Sequence, residues 1–280
     1  MFSESDLRER VLAMVGGVRS THGDCAEPML LARRLGLNVV ISHSCGDQDG
    51  FHVADVVILG TQQDQTPERV RFTLYHEICH HLLRQDEEFW SELHDWVVRD
   101  RDFEVVVERL CNLGAAEFLL PRSCIRPILD TEGASVALIE RLAGHFKASR
   151  LATAIQIVDC ASHACIFVVA ARMEAAGIRH PRMLSVGHSG PAPLLVERAM
   201  PSRKARYTVG RHTPIRRGSI IADAEAAEEG HIILERDFVP FRSGKKWEVD
   251  AEAVRLGTRV YSLFHLESPV PPCAGQLRLL

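Results

Sequence analysis

The chain has 280 residues, of which 46% are hydrophobic and 25% charged, and it carries a formal net charge of -4. This balance is ordinary for a soluble globular protein of about two domains, and it excludes a chain that binds polyanions over its whole surface. The N-terminus, MFSESDLRER, lacks the basic and then apolar order of a secretion signal. No apolar run approaches the roughly 20 residues that cross a bilayer. We therefore expect a soluble, cytoplasmic protein.

The first part of the chain is predicted to form helices with short strands between them. Apolar spacing predicts a helix over 5–18 and a shorter helix that ends at Gly36. Runs of β-branched residues predict strands over 38–41 and 55–60. These elements precede the segment that carries the chemistry.

Two long helices are predicted next. Thr66 is a suitable N-cap and Pro67 suits the first helical position, so a helix should begin there and continue through RFTLYHEICHHLLR. After an acidic connection, FEVVVERLCNLGAAEFLLP predicts a second long helix, which Pro121 closes. Both segments are rich in apolar residues, so we expect both helices to be largely buried.

The character of the chain changes twice more. Residues 122–161 contain two apolar-periodic pieces around HFKAS, with Ser149 as a possible cap, which is the pattern of a helix-turn-helix-like segment. The rest reads as a separate α+β domain of short strands. The predicted division is therefore 1–121, 122–161 and 162–280. The predicted strand runs are ACIFVVAAR, RMLSVG, RYTVG, SIIA, HIILERDFVP and TRVYSLFHLES.

The stretch HEICH has the spacing of a metal site. On a helix, His76 and His80 lie on one face with Cβ atoms about 5–6 Å apart, so both imidazoles can point at one ion. Glu77 is rotated by roughly 100° from His76, which places its carboxylate beside the ion as a base. A catalytic zinc needs three protein ligands and one open position. The motif therefore predicts two ligands, a general base and a third ligand elsewhere.

Several residues after the motif could supply the third ligand. We prefer Glu108, because it lies on the second long helix, which can pack antiparallel to the first. Asn112 lies one turn further on the same face and could orient a ligand. His94 is the runner-up, since imidazole is a common third ligand in zinc hydrolases. The other candidates are Glu87, Glu88, Glu92, Asp95, Glu104 and Glu117.

A core helix that merely contains histidines is the competing interpretation. The chain has 14 histidines, so the spacing can arise by chance. However, burying two histidines and a glutamate without partners would cost several kcal/mol, and a metal ion would offset that cost. We therefore favour the metal site. His81 should point away from it as a bystander, and Tyr75 should pack in the core instead of stabilising an oxyanion.

These two helices resemble the ImmA/IrrE family of metallopeptidases. The signature of that family is an HExxH helix followed by a helix that reads roughly ExxANxFAAxLLMP. Glu108 lies at the ligand glutamate of that pattern, Asn112 at its asparagine, and Pro121 at its end. Gly114 departs from the usual Phe and Leu120 from the usual Met, and both are packing positions.

The likeness extends to the IrrE branch from radiation-resistant bacteria, through SELHD, LCNLGAA and FVPFRSGKK. It implies an α+β protein with a zincin-like metallopeptidase domain, the helix-turn-helix-like segment and a C-terminal GAF-like domain. It also implies Zn²⁺ bound by His76, His80 and Glu108, with Glu77 as the catalytic base. Mn²⁺ can replace zinc in this prediction, because a His/His/Glu ligand set does not exclude it. The implied substrate is a DdrO-like repressor of the XRE/HTH type, whose cleavage would switch on a DNA-damage and radiation stress response.

A DNA-binding or sensory transcriptional regulator without peptidase activity is the alternative. The second helix of the helix-turn-helix-like segment, SRLATAIQIVD, offers only Arg150 and Gln156 for contacts in a DNA groove. A helix that reads bases usually presents several such side chains together with cations for the phosphates. We therefore expect no strong direct DNA binding, and no membrane partner.

Overall fold

The computed structural model describes residues 3–23, 27–42, 50–53, 55–60, 66–97, 100–173 and 192–267. The chain divides into two compact units, and each is described by itself. The first unit consists of Met1–Arg122 with His145–Ser149, and the second of Ser123–Gly144 with Arg150–Leu280. The predicted segment 122–161 is thus shared between them, and the three-part division by function stays a prediction.

The first unit contains five helices among its described residues. Their bounds are α1 Glu4–His22, α2 Pro28–Arg34, α3 Pro67–Gln85, α4 Glu87–Trp96 and α5 Asp100–Leu119. The predicted start of α3 is confirmed, since the Thr66 side chain accepts a hydrogen bond from the Arg69 N–H at 3.3 Å and Pro67 opens the helix. The long helix expected to end at Pro121 is confirmed as α5.

A small sheet accompanies these helices. Its strands are β1 Asn38–Ser42, β2 Gly50–Val53 and β3 Val56–Gly60, in the order β1-β3-β2. β1 pairs with β3 in parallel, and β2 pairs with β3 in antiparallel orientation. Two of the three strands match the predictions, whereas β2 was not predicted.

The core of the first unit lies between α3 and its neighbours. α3 packs against α5 on one side and against β2 and β3 on another. Leu74, Ile78 and Leu83 of α3 are fully buried. Tyr75 is also fully buried and stacks on Phe118 of α5, with 5.2 Å between the ring centroids. The expectation that Tyr75 is a core residue agrees with this packing.

The acidic connection between the two long helices is itself helical, which the sequence analysis did not predict. The Asp86 side chain caps α4 by accepting a hydrogen bond from the Phe89 N–H at 2.9 Å. Phe89 and Leu93, one turn apart, are both buried. The apolar spacing of four residues therefore decides the local structure, and Glu87, Glu88 and Asp95 are exposed.

The second unit combines helices with a five-stranded sheet. Its described elements are α6 Arg122–Glu132, α7 Val136–Phe146, α8 Arg150–Cys160, β4 Cys165–Arg172, β5 Leu194–Pro201, α9 Ile220–Ala226, β6 Ile232–Phe238, β7 Glu248–Leu256 and β8 Arg259–His265. The sheet is antiparallel throughout, in the order β5-β4-β8-β7-β6. α9 packs against β6, β7 and β8. The names helix-turn-helix-like and GAF-like stay predictions for these parts.

Two of the predicted strand runs are not strands, and a third lies outside the described residues. SIIA opens α9 and is not a strand, because the Ser219 hydroxyl caps the helix and Ile220, Ile221 and Ala224 are buried at helical spacing. RYTVG forms no strand either, and RMLSVG lies outside the described residues. The sequence prediction also missed β5 and β7. Among the described residues, no helix is both long and apolar enough to cross a membrane.

Candidate metal centre

Two turns of α3 present the histidines of HEICH side by side. The Nε2 atoms of His76 and His80 are 3.1 Å apart. His80 is buried and His76 is half-buried. Ile78, Cys79 and Leu83 of the same helix are buried in the core. The apolar face of α3 therefore fixes which way the two imidazoles point.

α5 brings a carboxylate to the same place. Glu108 Oε1 lies 3.1 Å from His80 Nε2, and Glu108 Oε2 lies 3.2 Å from His76 Nε2. Half of the Glu108 side chain is exposed, which leaves the group open to solvent on one side. Within the described part of the chain, these three residues are the only group of ligand side chains close enough to share a metal ion.

The spacing of these donors suits a tetrahedral ion. Metal–ligand bonds of about 2.0–2.1 Å at tetrahedral angles place neighbouring ligand atoms about 3.3 Å apart. The separations of 3.1 to 3.2 Å between the three side chains are close to that value. Two imidazoles and one carboxylate are also a donor set of catalytic zinc sites. The residues therefore fit the ion that the sequence predicted.

Glu77 is buried next to this group. Burial, and to a smaller extent the nearby Glu108 carboxylate, raise the pKa of Glu77 to about 7, although Arg84 acts in the opposite direction. Arg84 lies two helical turns after Glu77 on the same face, a spacing that could have indicated this pair from the sequence. A carboxyl group with a pKa near neutrality can both take up and release a proton at physiological pH.

His76 has an electrostatic environment of mixed sign. Burial lowers the pKa of His76, whereas the Glu108 carboxylate and a hydrogen bond with the Asn112 side chain raise it. A lowered pKa favours the neutral imidazole, which is the form that binds a metal. Asn112 was expected to orient a ligand, and it acts on the histidine of α3.

The acidic candidates of α4 are engaged elsewhere. Arg10 of α1 forms salt bridges with Asp86, Glu88 and Glu92, at 3.3 Å to Asp86 and 3.4 Å to Glu88. Glu87 is exposed. This cluster ties α1 to α4 and leaves those carboxylates away from the histidines.

The other candidates of the first unit also have different surroundings. The His94 ring stacks on Phe103, with 3.9 Å between the ring centroids, so the runner-up ligand packs against an aromatic ring. Glu117 is buried and pairs with Arg122 at 3.2 Å. His81 is buried, and burial lowers its pKa while Asp55 raises it. None of these side chains belongs to the three-residue group.

Comparison with known proteins relates this chain to a family of metallopeptidases. Residues 32–157 match the Peptidase_M78 family, described as the IrrE N-terminal-like domain. The chain is 31% identical to the radiation response metalloprotease IrrE of Deinococcus deserti over 223 residues, which cover 79% of this chain and 75% of the relative. It is also 31% identical to the protein of that name from Deinococcus radiodurans over 208 residues, or 74% of this chain. The chain spans 62% of the length of that second relative.

A solved structure shares the fold. A Mycobacterium tuberculosis transcriptional regulator superposes with a TM-score of 0.58 and 17% identity, covering 93% of this chain and 76% of its own. At that identity the likeness concerns the fold alone. The match to the Peptidase_M78 family defines the class as metallopeptidases, and the identity over most of the chain is more specific. This chain belongs to the IrrE-like family of metallopeptidases.

Proposed function

We propose that this chain is a zinc-dependent endopeptidase in which His76, His80 and Glu108 hold the ion and Glu77 is the general base. The observation that carries the proposal is the convergence of three donor side chains from α3 and α5. Membership of a metallopeptidase family supports it independently.

The side chains divide the chemistry between them. When bound, the ion would lower the pKa of water and polarise the carbonyl of the bond to be cut. The Glu77 carboxylate takes a proton from the attacking water and delivers it to the leaving amine nitrogen. The half-exposed Glu108 marks the side from which a peptide can reach the site.

Zinc is the proposed ion because two imidazoles and a carboxylate leave one tetrahedral position open. Mn²⁺ is a second candidate, since nitrogen and oxygen donors also bind it. Burial raises the pKa of the thiols of Cys79 and Cys111 far above neutrality, so neither offers a thiolate to a softer metal.

The proposed substrate is a DdrO-like repressor of the XRE/HTH type, cut in the cytoplasm to start a DNA-damage and radiation stress response. Its support is the likeness to two Deinococcus relatives named as radiation response metalloproteases. The substrate is part of the proposal, because the chain covers 62% of one of these relatives and the site geometry does not distinguish one protein substrate from another.

A DNA-binding regulator without peptidase activity has less support. Gln156 of α8 is buried, so it cannot enter a DNA groove. Arg150 donates two hydrogen bonds to the carboxylate of Glu140, at 2.5 and 2.8 Å. The two side chains that could have contacted bases are therefore used within the second unit.

The decisive experiment compares the parent chain with Glu77→Gln. The full chain is incubated with a purified XRE-type repressor from the same genome and with Zn²⁺ or Mn²⁺, and products are followed by mass spectrometry. Since a general base contributes about 10²- to 10⁴-fold, Glu77→Gln should slow cleavage by at least about a hundredfold. The control is Glu87→Gln, which removes an exposed carboxylate of the same unit and should cleave at the parental rate.

Equal cleavage by the parent and Glu77→Gln would remove Glu77 from the mechanism. An intact repressor despite bound Zn²⁺ would exclude that substrate. Tight binding of duplex DNA, with a steep salt dependence and no cleavage, would favour the regulator instead.

A further inference from the structure

Gly114 lies in the interior of α5, a helix of 20 residues. Glycine destabilises a helix interior relative to alanine, so a tertiary reason should exist for it at this position. The structure provides one, because a Cβ atom built at Gly114 would lie only 2.5 Å from the Sγ atom of Cys79 on α3. That distance is far below any normal contact.

The Cys79 thiol has little room to move away. Cys79 is fully buried, and it lies between the two histidine ligands in the sequence of α3. On the other side, the same Cβ atom would meet Val11 Cγ1 of α1 at 3.4 Å. The missing side chain of Gly114 therefore accommodates the thiol, and α5 can lie close against α3 at this point.

Other contacts along the same face keep the two helices together. Phe118, one turn after Gly114, stacks on Tyr75, and Cys111, nearly one turn before it, is fully buried. Glu108 lies before Cys111 on α5, and its carboxylate oxygens lie 3.1 to 3.2 Å from the Nε2 atoms of the two histidines. A site of this kind requires its ligands to be held within about 0.5 Å. A change in the spacing of α3 and α5 would thus move the third ligand directly.

We propose that Gly114 is a positioning residue: together with Cys79 it sets the spacing between α3 and α5 that lets Glu108 share a metal ion with His76 and His80. This role rests on the proposed function of the site. The close approach of Gly114 and Cys79 then contributes to metal affinity as well as to packing.

The test adds one methyl group at two glycines of the first unit. Gly114→Ala should weaken Zn²⁺ binding by about ten- to a hundredfold, the usual effect of disturbing a residue that supports a ligand. Gly17→Ala is the matched control, because Gly17 lies inside α1 and a Cβ atom there meets nothing within 4 Å. Affinity is measured on the folded full chain by competition with a chromophoric chelator, and the melting temperature is recorded for each variant.

The rescue variant is Gly114→Ala combined with Cys79→Ala, which removes the atom that clashes. The double variant should bind Zn²⁺ as tightly as Cys79→Ala alone. If Gly114→Ala does not fold, the proposal is judged on this pair, and weak Zn²⁺ binding by a folded double variant overturns it.

Two other results would also overturn the proposal. Parental Zn²⁺ affinity in Gly114→Ala, even with a lowered melting temperature, would reduce Gly114 to a packing residue. A parent chain that binds no Zn²⁺ would instead refute the proposed function, and the role of Gly114 with it. Because the parent is measured separately, the two failures are distinguishable.

Discussion

His76 with His80 in the first unit, and His163 with His265 in the second, each bring two imidazole nitrogens close together. The separations are 3.1 Å between the Nε2 atoms of the first pair and 3.2 Å between His163 Nε2 and His265 Nδ1 of the second. Each pair also has a glutamate within 3.1 Å of one imidazole nitrogen. By composition and distance the two regions are nearly alike.

The second pair is a chain of hydrogen bonds. His265 Nε2 donates to Glu252 Oε1 at 3.1 Å, so its Nδ1 is left to accept from His163 Nε2. The other oxygen of Glu252 accepts from the N–H of Val136, the first residue of α7, at 3.0 Å. Each partner has one donor facing one acceptor, and the chain satisfies a backbone group at a helix N-terminus.

The first pair is arranged around a common point. Two Nε2 atoms and a carboxylate face one another. In a neutral imidazole only one of the two ring nitrogens carries a proton, so hydrogen bonds between these groups leave lone pairs without a donor. A cation satisfies all three at once. Residue types and nearest distances therefore do not distinguish the two regions. We expect the metal site at the first pair because its three donor side chains converge on one point.

The largest expected difference between the two regions is in metal binding. His80→Ala should weaken Zn²⁺ binding by more than about a hundredfold, because losing an outer partner alone costs about ten- to a hundredfold. His265→Ala should leave both the affinity and the stoichiometry unchanged. Isothermal titration of the two variants decides this, and a loss of Zn²⁺ in His265→Ala would mean that the second pair also binds metal.

The two glutamates should respond in opposite ways to replacement by glutamine. Glu108→Gln should weaken Zn²⁺ binding with little change in stability, since its side chain is half exposed. Glu252→Gln should leave Zn²⁺ binding intact and lower the free energy of unfolding by about 1–3 kcal/mol, because one amide oxygen cannot accept from both His265 and Val136. Urea denaturation checks the second result, and equal stability losses in both variants would contradict the distinction.

Loss of the N-cap of α3, the helix that carries the first pair, should lower stability without changing metal affinity. Thr66→Ala removes the N-cap of α3 and should cost about 1 kcal/mol of stability. Affinity for Zn²⁺ should not change, since Tyr75 and its neighbours still fix the helix in the core. Thermal unfolding and the chelator assay measure the two effects, and a drop in affinity would show that the ligands depend on the helix end.

The smallest expected effect is a pH dependence of the second pair. Burial lowers the pKa of His163, His265 lowers it further, and Glu267 acts in the opposite direction. A histidine whose pKa is lower when folded takes up its proton more readily when unfolded, so stability should fall as the pH drops below about 6.5. His163→Gln should reduce this slope in urea denaturation between pH 7 and pH 5, and an unchanged slope would exclude His163 as its source.

The sequence alone was most informative for α3, where the spacing of the candidate ligands and the signals for the helix lie in the same segment. His76 and His80 lie on one face of the helix because they are four positions apart, and Thr66 with Pro67 determines where that helix begins. The same reasoning missed α4, which lies in the acidic connection, and it wrongly predicted a strand at SIIA, where the structure has a capped helix. In both cases a cap and buried residues at helical spacing outweigh composition.

What the sequence determined by itself is the pair of histidines, their neighbouring glutamate and the helices that carry them, because these depend on neighbours within two turns. The tertiary structure decided which of several acidic side chains meets them. Glu108 reaches the histidines because α5 lies close to α3, whereas Arg10 and Phe103 engage other candidates. Distances between helices depend on long-range packing, and neither spacing nor composition contains them.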